Sequence, residues 1–336
     1  MPDSLRDRDV LVGGGCGFFG SYLVPALVAR GARVTVADNF ANSERSALAG
    51  SAAAITLIEA DLRDRAACDD LLQGRDLFIN LAATASGVGF SRTHHAEMLV
   101  DNIACGLLPL QAAARHGVAR VVMTSTSCVY PDEAPVPTPE LDPFSGWPER
   151  VNEGYGWAKR MHELASGYFA AEQGMHIVIL RPFNLYGGNY PWRSDERAHV
   201  IPSLVKRVLD GEDPLVVWGS GEQRRTFLHG RDAAELAVRL IESGVEGPVN
   251  LGYEDDIRIA DLAALVGEVT GRRPQLLFDA ARPDGQARKS ADATRLRALT
   301  GGYEPQTTLH QGIEEMVLWY ARTFGPGPTP PGPPAR

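Results

Sequence analysis

Three side chains in the middle of the sequence have the types and spacing needed for hydride chemistry at a hydroxyl group. Tyr155 and Lys159 lie four positions apart, so a helix would place both on one face. A phenol has a pKa of about 10 and is a poor base at neutral pH, but a nearby ammonium group favours its ionised form. Thr126, earlier in the chain, could hydrogen-bond the same substrate oxygen. These residues predict an acid/base centre for a sugar-like hydroxyl.

A thiol lies beside this centre. Cys128 follows Thr126 by two residues, and in an extended segment the two side chains would lie on the same side. Cys128 has no obvious part in hydride transfer, so its position indicates a second function for the site. A small buried Cys that only packs in the core is the alternative. The residue types alone leave both interpretations open.

The elements that must position these residues follow an alternating pattern. Short apolar runs alternate with amphipathic segments of helical length up to about residue 184, which predicts a parallel sheet with helices on both faces. The expected fold class is α/β: a Rossmann-type doubly wound parallel sheet with a smaller α/β C-terminal substrate domain. The Pro- and Gly-rich end of the chain is expected to be a disordered tail. The predicted boundaries are residues 1–184, 185–324 and 325–336.

A glycine-rich segment follows the first predicted strand. The spacing of Gly14, Gly17 and Gly20 lets the backbone turn tightly and approach a pyrophosphate at the N-terminus of the first helix. Asp38 ends the second predicted strand, where a carboxylate can accept hydrogen bonds from both ribose hydroxyls and would repel a 2'-phosphate. The first domain is therefore predicted to bind NAD in preference to NADP.

Further cofactor contacts are expected at the ends of the next two strands. Asp61 and Leu62 could meet the adenine edge, and the small residues after the fourth strand could pass beneath the cofactor. The complete predicted cofactor set is Gly14, Gly17, Phe18, Phe19, Gly20, Asp38, Asn39, Asp61, Leu62, Leu81, Ala82, Ala83, Tyr155 and Lys159.

Composition and charge argue against several other classes of protein. The 336 residues carry a net charge of -9 and no basic run interleaved with aromatic residues, so nucleic-acid binding is not expected. No apolar run is long enough to cross a membrane, and the charged N-terminus does not resemble a signal peptide, which predicts a cytoplasmic protein. The four Cys residues show neither paired spacing nor a matching His cluster, so no metal site is predicted.

Together, these motifs resemble the extended short-chain dehydrogenase/reductase family, which contains nucleotide-sugar epimerases and dehydratases. The resemblance covers about residues 8–324 and is carried by the glycine segment, Asp38, Asn80 to Ala83, Thr126 to Tyr130, Tyr155 with Lys159, Arg181 to Gly187, and Trp218 to Phe227. It implies that Tyr155 is the acid/base on the reacting hydroxyl. It also implies that Lys159 lowers the pKa of Tyr155 and binds the nicotinamide ribose, while Thr126 hydrogen-bonds the same substrate oxygen.

Within this family, Cys128 and the three residues after it are similar to GDP-mannose 3,5-epimerases and GDP-fucose synthases, which invert carbons beside a ketone. The resemblance implies that Cys128 works with a second acid/base, for which this chain offers His199. Inversion requires one group to remove a proton from one face and another to deliver a proton to the opposite face. A packing role for Cys128 and a helix-cap role for His199 are the alternatives.

The remaining predicted site residues would hold a nucleotide sugar. Gly87 and Val88 are expected in a substrate-side loop after the fourth strand, and Arg225 belongs to a Trp-Gly pattern of the family. A diphosphate requires amide and cationic donors. The predicted substrate set is Gly87, Val88, Thr126, Asn184, His199, Trp218, Arg225, Arg288 and Lys289.

The resulting hypothesis is an NAD-dependent nucleoside-diphosphate-sugar epimerase with GDP-mannose or a close relative as its substrate. Tyr155 and Thr126 would support transient oxidation at C4, and Cys128 and His199 would exchange protons at C5, C3 or both. Asp38 favours this redox-neutral enzyme, because a fucose synthase that consumes NADPH would want a cation there.

The alternatives are a 4-epimerase, a 4-keto-sugar epimerase/reductase similar to GDP-fucose synthases, and a non-catalytic NAD-binding scaffold. A dehydratase is disfavoured because Ser127 and Cys128 replace an Asp-Glu pair of those relatives. Resemblance also implies a homodimer formed through helices at residues 97–116 and 155–172.

Overall fold

The computed structural model describes residues 4–190, 198–282 and 285–325, in which the chain folds around a parallel sheet. The strands of these ranges are β1 (Asp9–Gly13), β2 (Arg33–Asp38), β3 (Ile55–Glu59), β4 (Leu77–Asn80), β5 (Arg120–Thr124), β6 (His176–Pro182), β7 (Leu185–Tyr186), β8 (Leu215–Trp218), β9 (Arg224–Thr226), β10 (Leu228–His229), β11 (Gly247–Leu251), β12 (Asp256–Arg258), β13 (Leu276–Asp279) and β14 (Arg288–Lys289).

Helices connect these strands, and two of them begin with clear local signals. The α-helices of the same ranges are α1 (Phe18–Ala29), α2 (Arg65–Leu72), α3 (Val88–Ser91), α4 (His95–Arg115), α5 (Glu153–Gln173), α6 (Val200–Leu209), α7 (Gly230–Ser243), α8 (Ile259–Thr270), α9 (Thr294–Leu299) and α10 (Leu309–Phe324). Asp64 caps α2 by accepting a hydrogen bond from the backbone N–H of Ala66, at 2.8 Å. Thr308 and Gln311 form a capping box before α10.

The main sheet has seven strands within the described residues, in the order β11-β6-β5-β4-β1-β2-β3. Every neighbouring pair in it is parallel. Successive residues of β1 point to opposite faces, so Val10 and Val12 join one apolar cluster and Leu11 joins the other. The predicted Rossmann-type α/β fold is confirmed. Its strand order reverses between β1 and β4, where such sheets open a crevice at their carboxyl ends.

The two faces of the sheet are covered by different helices. Leu23 and Leu27 of α1 pack with Leu236 and Leu240 of α7 on one face. On the other face, α2, α4 and α5 bury residues such as Leu72 and Leu110. This helical layer holds Lys159 at the carboxyl edge of the sheet, because α5 packs along α4 and against β5 and β6.

A second, smaller cluster lies in the C-terminal half of the chain. Helices α6, α8 and α10 pack together around side chains that include Leu204, Leu262 and Ile313. Short strands frame this cluster: β8 pairs with β13, and β9 pairs with both β12 and β14. The pairing of β14 with β9 is important for the site because it brings Lys289 beside Arg225.

One part of the predicted domain division differs from the structure. The sequence assigned residues 230–251 to the second domain, but β11 pairs with β6 in the main sheet, with Val249 opposite Leu180. Helix α7 packs on α1 of the first domain. Apolar periodicity predicts that a strand and a helix exist, but not which sheet edge the strand joins. The predicted tail, residues 325–336, lies outside the described residues apart from Gly325.

Candidate active site

The loop between β1 and α1 has the shape that a pyrophosphate requires. Gly14 adopts a φ of +71°, and a Cβ at this position would lie 2.7 Å from the backbone nitrogen of Ala82. Gly17 precedes α1 without a side-chain cap, and the first turn of α1 carries no acidic residue. The positive end of this helix can therefore accept an anion. Gly20 is buried in the first turn beneath the loop.

Asp38 is fixed at the end of β2 by three local hydrogen bonds. One carboxylate oxygen accepts from the backbone N–H of Cys16 at 2.9 Å. The other accepts from the N–H of Phe40 at 2.9 Å and from the hydroxyl of Ser43 at 2.7 Å. A buried carboxylate held against the glycine loop suits ribose hydroxyls and repels a 2'-phosphate. The sequence identified Asp38, whereas the contribution of Ser43 required the structure.

The predicted adenine-side residues have distinct environments. The amide of Asn39 donates to Asp61 at 3.2 Å, and both residues are accessible. Hydrogen bonds from Arg63 lower the pKa of Asp61 to about 2, so this carboxylate is ionised at neutral pH. The side chain of Leu62 is only 4% exposed and packs in the core cluster beneath the sheet. The structure therefore places Asp61 and Asn39, but not the Leu62 side chain, at the accessible edge.

The segment after β4 lies directly beneath the glycine loop. The N–H of Leu81 donates to the carbonyl of Gly13 at 2.9 Å, and the N–H of Ala82 donates to the side chain of Asn80 at 3.0 Å. The predicted residues of this segment, Leu81, Ala82 and Ala83, are all half-buried. They remain predicted cofactor contacts.

The two aromatic residues that begin α1 face different parts of the molecule. Phe19 packs against the first apolar cluster of the main sheet. Phe18 meets Tyr22 at a ring-centroid distance of 5.6 Å and Tyr190 at 6.0 Å. Phe18 therefore connects the start of α1 to the C-terminal cluster. Phe18 and Phe19 both remain predicted cofactor residues.

Thr126 and Tyr155 are brought to the same edge by close packing of α5 on the loop after β5. Thr126 precedes a short 3₁₀ turn, and its hydroxyl accepts from the N–H of Cys128 at 3.2 Å. Gly156 allows α5 to approach this turn, because a Cβ there would lie 2.7 Å from the carbonyl oxygen of Cys128. This contact fixes the position of Tyr155, the preceding residue, relative to the loop.

Lys159 and Tyr155 lie together on α5, and burial controls the protonation of both. The amine of Lys159 donates to the carbonyl of Thr124 at 2.7 Å and lies 5.6 Å from the centroid of the Tyr155 ring. Burial lowers the pKa of Lys159 to about 8. Burial also raises the pKa of Tyr155, with further increases from Cys128 and Cys105. The phenol is therefore protonated at neutral pH in this structure.

Cys128 lies beside a buried ion pair. The Nζ atom of Lys289 is 3.8 Å from the sulfur of Cys128 and 3.1 Å from Oε2 of Glu149. Glu149 and Lys289 are only 6% and 9% exposed. The Glu149 carboxylate also accepts from the amide of Asn152 at 2.8 Å, and its backbone N–H donates to the carbonyl of Cys128 at 3.2 Å. Cys128, Glu149 and Lys289 thus form one cluster, which we call the thiol cluster.

The charges of the thiol cluster follow from these contacts. Burial raises the pKa of Cys128 to about 12; Glu149 adds to this increase and Lys289 opposes it. Burial acts to raise the pKa of Glu149 too, but Lys289 and the hydrogen bonds to the carboxylate hold it below its usual value. Burial acts against the charge of Lys289, yet Cys128 and Glu149 keep its pKa raised. The cluster therefore holds a neutral thiol, a carboxylate and an ammonium group.

The sequence by itself does not reveal this raised thiol pKa. An ordinary thiol, with a pKa of about 8.5, would titrate near neutral pH. The sequence could not show the burial of Cys128, nor could it reveal Glu149, whose partner Lys289 lies 140 residues away. Lys289 was expected on the substrate diphosphate, and in the structure its amine contacts the thiol cluster.

His199 precedes α6 and has different neighbours from Cys128. Its backbone N–H donates to the hydroxyl of Tyr190 at 3.2 Å, and the two rings meet edge to face at 5.9 Å. The residue as a whole is exposed, but desolvation of the ring lowers the pKa of the imidazole. His199 is therefore neutral at neutral pH. The Lys289 amine lies 3.8 Å from the Cys128 sulfur, and the Cys128–His199 pair remains a prediction.

The other predicted substrate residues differ in exposure and charge compensation. Trp218 is 40% exposed, and the Arg282 guanidinium lies 4.8 Å from its ring centroid. Arg288 is exposed and forms an ion pair with Asp256. Asn184 donates to the carbonyl of Thr226 at 2.9 Å.

The remaining predicted substrate residues also differ in burial. Arg225 is half-buried beside Lys289, Gly87 is buried, and Val88 is 43% exposed at the start of α3. An accessible Val88 suits the predicted substrate-side loop. All of these positions remain predicted substrate contacts.

A buried polar network supports the loop that carries Thr126 and Cys128. The guanidinium of Arg181 donates to Glu163 at 2.9 and 2.5 Å and to the hydroxyl of Tyr130 at 2.8 Å. Tyr130 in turn donates to Asn250 at 2.6 Å. Because Asn250 belongs to β11, the strand that joins the main sheet late in the chain also supports the loop that carries Thr126 and Cys128. No motif in the sequence marks Asn250 as part of this network.

The sequence model of the NAD dependent epimerase/dehydratase family matches residues 10–252. This chain belongs to that family. The assignment agrees with the resemblance found in the sequence and with the geometry at the carboxyl edge of the sheet. NAD is the cofactor of this family, and the open N-terminus of α1 and the fixed carboxylate of Asp38 fit its pyrophosphate and ribose.

Curated relatives and solved structures extend this family assignment. A putative GDP-L-fucose synthase 2 from Oryza sativa subsp. japonica is 37% identical to this chain, over a region that covers 72% of this chain and 70% of the relative. A dTDP-4-dehydro-6-deoxy-D-allose reductase from a Streptomyces species is 30% identical over 95% of this chain and 98% of its own. The solved UDP-glucose 4-epimerase of Thermotoga maritima covers 94% of this chain and 99% of its own, with 27% identity and a TM-score of 0.83. The chain is an enzyme of the sugar-nucleotide epimerase, dehydratase and reductase group.

The described part of the chain has neither a helix suited to span a membrane nor a cluster of metal-binding side chains. Among residues 4–190, 198–282 and 285–325, no helix has the length and apolar character needed to cross a membrane. In the same ranges, no three His, Cys, Asp or Glu side chains form a group that could hold a metal ion.

Proposed function

We propose that this enzyme is an NAD-dependent nucleoside-diphosphate-sugar epimerase that inverts a carbon next to a transient ketone. The observation that carries the proposal is the location of Cys128 on the same turn as Thr126, against the helix that bears Tyr155 and Lys159. A hydroxyl, a phenol and a lysine serve oxidation at a sugar hydroxyl. A thiol next to them adds a proton-transfer group that a simple dehydrogenase does not need.

The first set of residues handles the sugar hydroxyl. Thr126 and Tyr155 hydrogen-bond the C4 oxygen, and the phenolate form of Tyr155 takes the hydroxyl proton as the ketone forms, which leaves Tyr155 as the neutral phenol. The ammonium group of Lys159, 5.6 Å from the Tyr155 ring centroid, favours the phenolate before this transfer and so opposes the effect of burial on the Tyr155 pKa. NAD, held at the N-terminus of α1 and by Asp38, would supply the hydride acceptor for this oxidation and the hydride donor for the reduction that follows. Tyr155 then gives its proton back to the C4 oxygen.

The second set of residues exchanges protons at the carbon next to the ketone. Because Cys128 is protonated and His199 is neutral, the thiol is suited to donate a proton and the imidazole to accept one. His199 removes the proton from one face, the C–H electron pair forms an enolate, and Cys128 delivers a proton to the other face. The carbon is inverted with no net change in oxidation state.

GDP-mannose, or a related GDP-hexose, is the proposed substrate. The similarity to a GDP-L-fucose synthase supports a guanine nucleotide, and the cationic side chains of Arg225 and Arg288 suit a diphosphate. The proposed inversion sites are C5, C3 or both. The exposed Trp218 ring lies on the same C-terminal half and offers a surface for the nucleotide.

A second candidate function is a 4-keto-sugar epimerase/reductase. The GDP-L-fucose synthase and the deoxy-allose reductase among the relatives favour it. Such an enzyme would consume a reduced cofactor in stoichiometric amounts, whereas the epimerase would keep its NAD. The carboxylate of Asp38, fixed by Cys16 and Ser43, opposes binding of NADPH and favours the epimerase.

Deuterium exchange tests the proposed function directly. The purified enzyme is incubated in heavy water with GDP-mannose and other GDP-hexoses, and the sugar is analysed by mass spectrometry and NMR. Deuterium is expected at the inverted carbon, and Cys128→Ser should abolish formation of the inverted sugar while leaving transient reduction of bound NAD. The matched control is Cys68→Ser, since Cys68 donates to the Leu62 carbonyl in the core and a serine can do the same. Absence of exchange with every GDP-hexose would refute the epimerase.

The assembly and location of the enzyme remain predictions. Helices α4 and α5 pack side by side and expose Val100, Leu164 and Tyr168, which suits the homodimer implied by resemblance. Light scattering of the purified protein measures its oligomeric state. Fractionation of cells that produce the protein tests the cytoplasmic location expected from the sequence.

A further inference from the structure

The ion pair next to Cys128 lies where burial makes charge costly. Glu149 and Lys289 both lie almost entirely out of solvent, and a buried pair gains little net stability over a well-packed apolar one. Several hydrogen bonds hold this pair against the thiol rather than elsewhere in the core. Its placement therefore indicates a role at the sulfur.

Glu149 is held in a fixed relation to the thiol. Its backbone N–H donates to the Cys128 carbonyl, and the Asn152 amide donates to its carboxylate. The sulfur and the carboxylate are neighbours, because the Lys289 amine lies 3.8 Å from the sulfur and 3.1 Å from Oε2 of Glu149. A carboxylate in this position stabilises the S–H form, because a thiolate would face a like charge.

Lys289 approaches the sulfur from the opposite part of the chain. It lies on β14, which pairs with β9, so its ammonium group reaches the cluster from the substrate half. Because its other partner is Glu149, Lys289 remains charged although it is buried. A thiolate formed at Cys128 would lie within direct electrostatic reach of this cation.

We propose that Glu149 and Lys289 are positioning residues for Cys128: Glu149 holds the thiol proton in place, and Lys289 stabilises the thiolate when that proton is transferred to substrate. This inference rests on the proposed function, in which Cys128 is the proton donor. Glu149 favours the protonated thiol, whereas Lys289 favours the thiolate. In the transfer step the S–H bond breaks, a C–H bond forms at the enolate carbon, and the sulfur keeps the electron pair. The C4 ketone is restored as the enolate collapses, and solvent returns a proton to the sulfur after product leaves.

Other ionisable groups face the thiol cluster. The Arg225 side chain, on the strand next to Lys289, acts to lower the pKa of that lysine. Tyr155 on α5 interacts electrostatically with Cys128. Both residues are unchanged in the variants below, so their contributions cancel when the variants are compared with the wild type.

The test measures the pH dependence of Cys128 alkylation by iodoacetamide, followed by peptide mass spectrometry without substrate. Glu149→Gln should shift the alkylation curve to lower pH, and Lys289→Met should shift it to higher pH. A shift of about one pH unit corresponds to a tenfold change in alkylation rate at fixed pH. Lys289→Arg should return the curve toward the wild type, because it restores the positive charge.

A double variant protects the test against unfolding. Glu149→Gln with Lys289→Met removes both charges together and leaves no unpaired buried ion. Its alkylation curve should fall between those of the two single variants, and its deuterium exchange should drop at least tenfold. Thermal melting of each variant checks that it is folded.

Opposite shifts in the two single variants support the inference, since loss of packing would move both curves in one direction. If Lys289→Met leaves the alkylation curve unchanged and only raises KM for the nucleotide sugar, Lys289 serves the diphosphate and the inference is wrong. The alkylation assay needs no substrate. Failure of the proposed epimerase, seen as no deuterium exchange in the wild type, is therefore distinguishable from failure of this inference.

Discussion

Substitution of Gly156 by Ala should displace the loop that carries Thr126 and Cys128 without changing any of the predicted catalytic side chains. A Cβ at residue 156 would lie 2.7 Å from the carbonyl oxygen of Cys128 and 2.8 Å from the side chain of Pro148. Ordinary van der Waals contacts begin at 3.4 Å, so the loop or α5 must move by about 0.7 Å, the difference between 3.4 and 2.7 Å. Overpacking of this kind costs about 1–3 kcal/mol.

The displacement acts on Cys128 and Tyr155 together, because one lies on the loop and the other precedes Gly156 on the helix. A misplacement of about 1 Å at a reacting group can cost about 100-fold in rate. We therefore expect Gly156→Ala to reduce deuterium exchange by about 10- to 100-fold while the protein stays folded. Exchange is measured with GDP-mannose in heavy water, and the free energy of unfolding is measured in urea.

Gly167→Ala is the matched control on the same helix. A Cβ at residue 167 would meet no atom within 4 Å, and the position is exposed. This variant should be about 0.5–1 kcal/mol more stable than the wild type and should keep its exchange rate. If Gly156→Ala exchanges deuterium at the wild-type rate with undiminished stability, the close approach of α5 to the loop does not position the site.

Three further predictions concern the cofactor, the catalytic lysine and the buried network. Asp38→Asn should raise the Kd for NAD about tenfold, or about 1.4 kcal/mol, and should reduce discrimination against NADP. Calorimetry measures the Kd for both cofactors. An unchanged ratio of the Kd for NADP to the Kd for NAD would contradict the role of Asp38. Burial lowers the pKa of Lys159 to about 8, whereas its value in the unfolded chain is about 10.4. Between pH 8 and about 10.4 the cofactor-free folded state therefore binds fewer protons than the unfolded state. The stability of the cofactor-free wild type relative to Lys159→Met should therefore rise between pH 8 and 10, and a flat difference in urea titrations would refute this. Glu163→Gln should lower the free energy of unfolding by about 3–5 kcal/mol, because it leaves the buried Arg181 without its ionic partner. Glu59→Gln, which breaks an exposed ion pair, should lower it by less than about 1 kcal/mol. Equal losses of free energy in urea unfolding would contradict the importance of the network.

Local patterns in the sequence were sufficient for the fold class and for much of the cofactor site. Alternating apolar runs predict a parallel sheet with helices, and the glycine spacing after β1 predicts the turn seen at Gly14. Tyr155 and Lys159 share a helix, so their spacing alone places them on one face. Each of these features depends on neighbours within a few residues, which is why the amino-acid order reveals it.

Other features depend on which distant segments meet, and only the tertiary structure decided them. Strand β11 joins the main sheet and Asn250 supports the catalytic loop, although the sequence placed both in the second domain. The partner of Cys128 in the structure is Lys289, whose amine is held by Glu149. Apolar periodicity carries no information on such pairings, because it reports the face of an element and not its neighbour.

The role of the thiol shows the same division. The sequence determined that Cys128 lies two residues from Thr126, next to a hydride-transfer centre. The tertiary structure decided its protonation, because burial and the nearby Glu149 raise the pKa of the thiol to about 12. A pKa depends on solvation and on charges within a few ångströms, and folding brings those charges from residues 149 and 289 to the sulfur of Cys128.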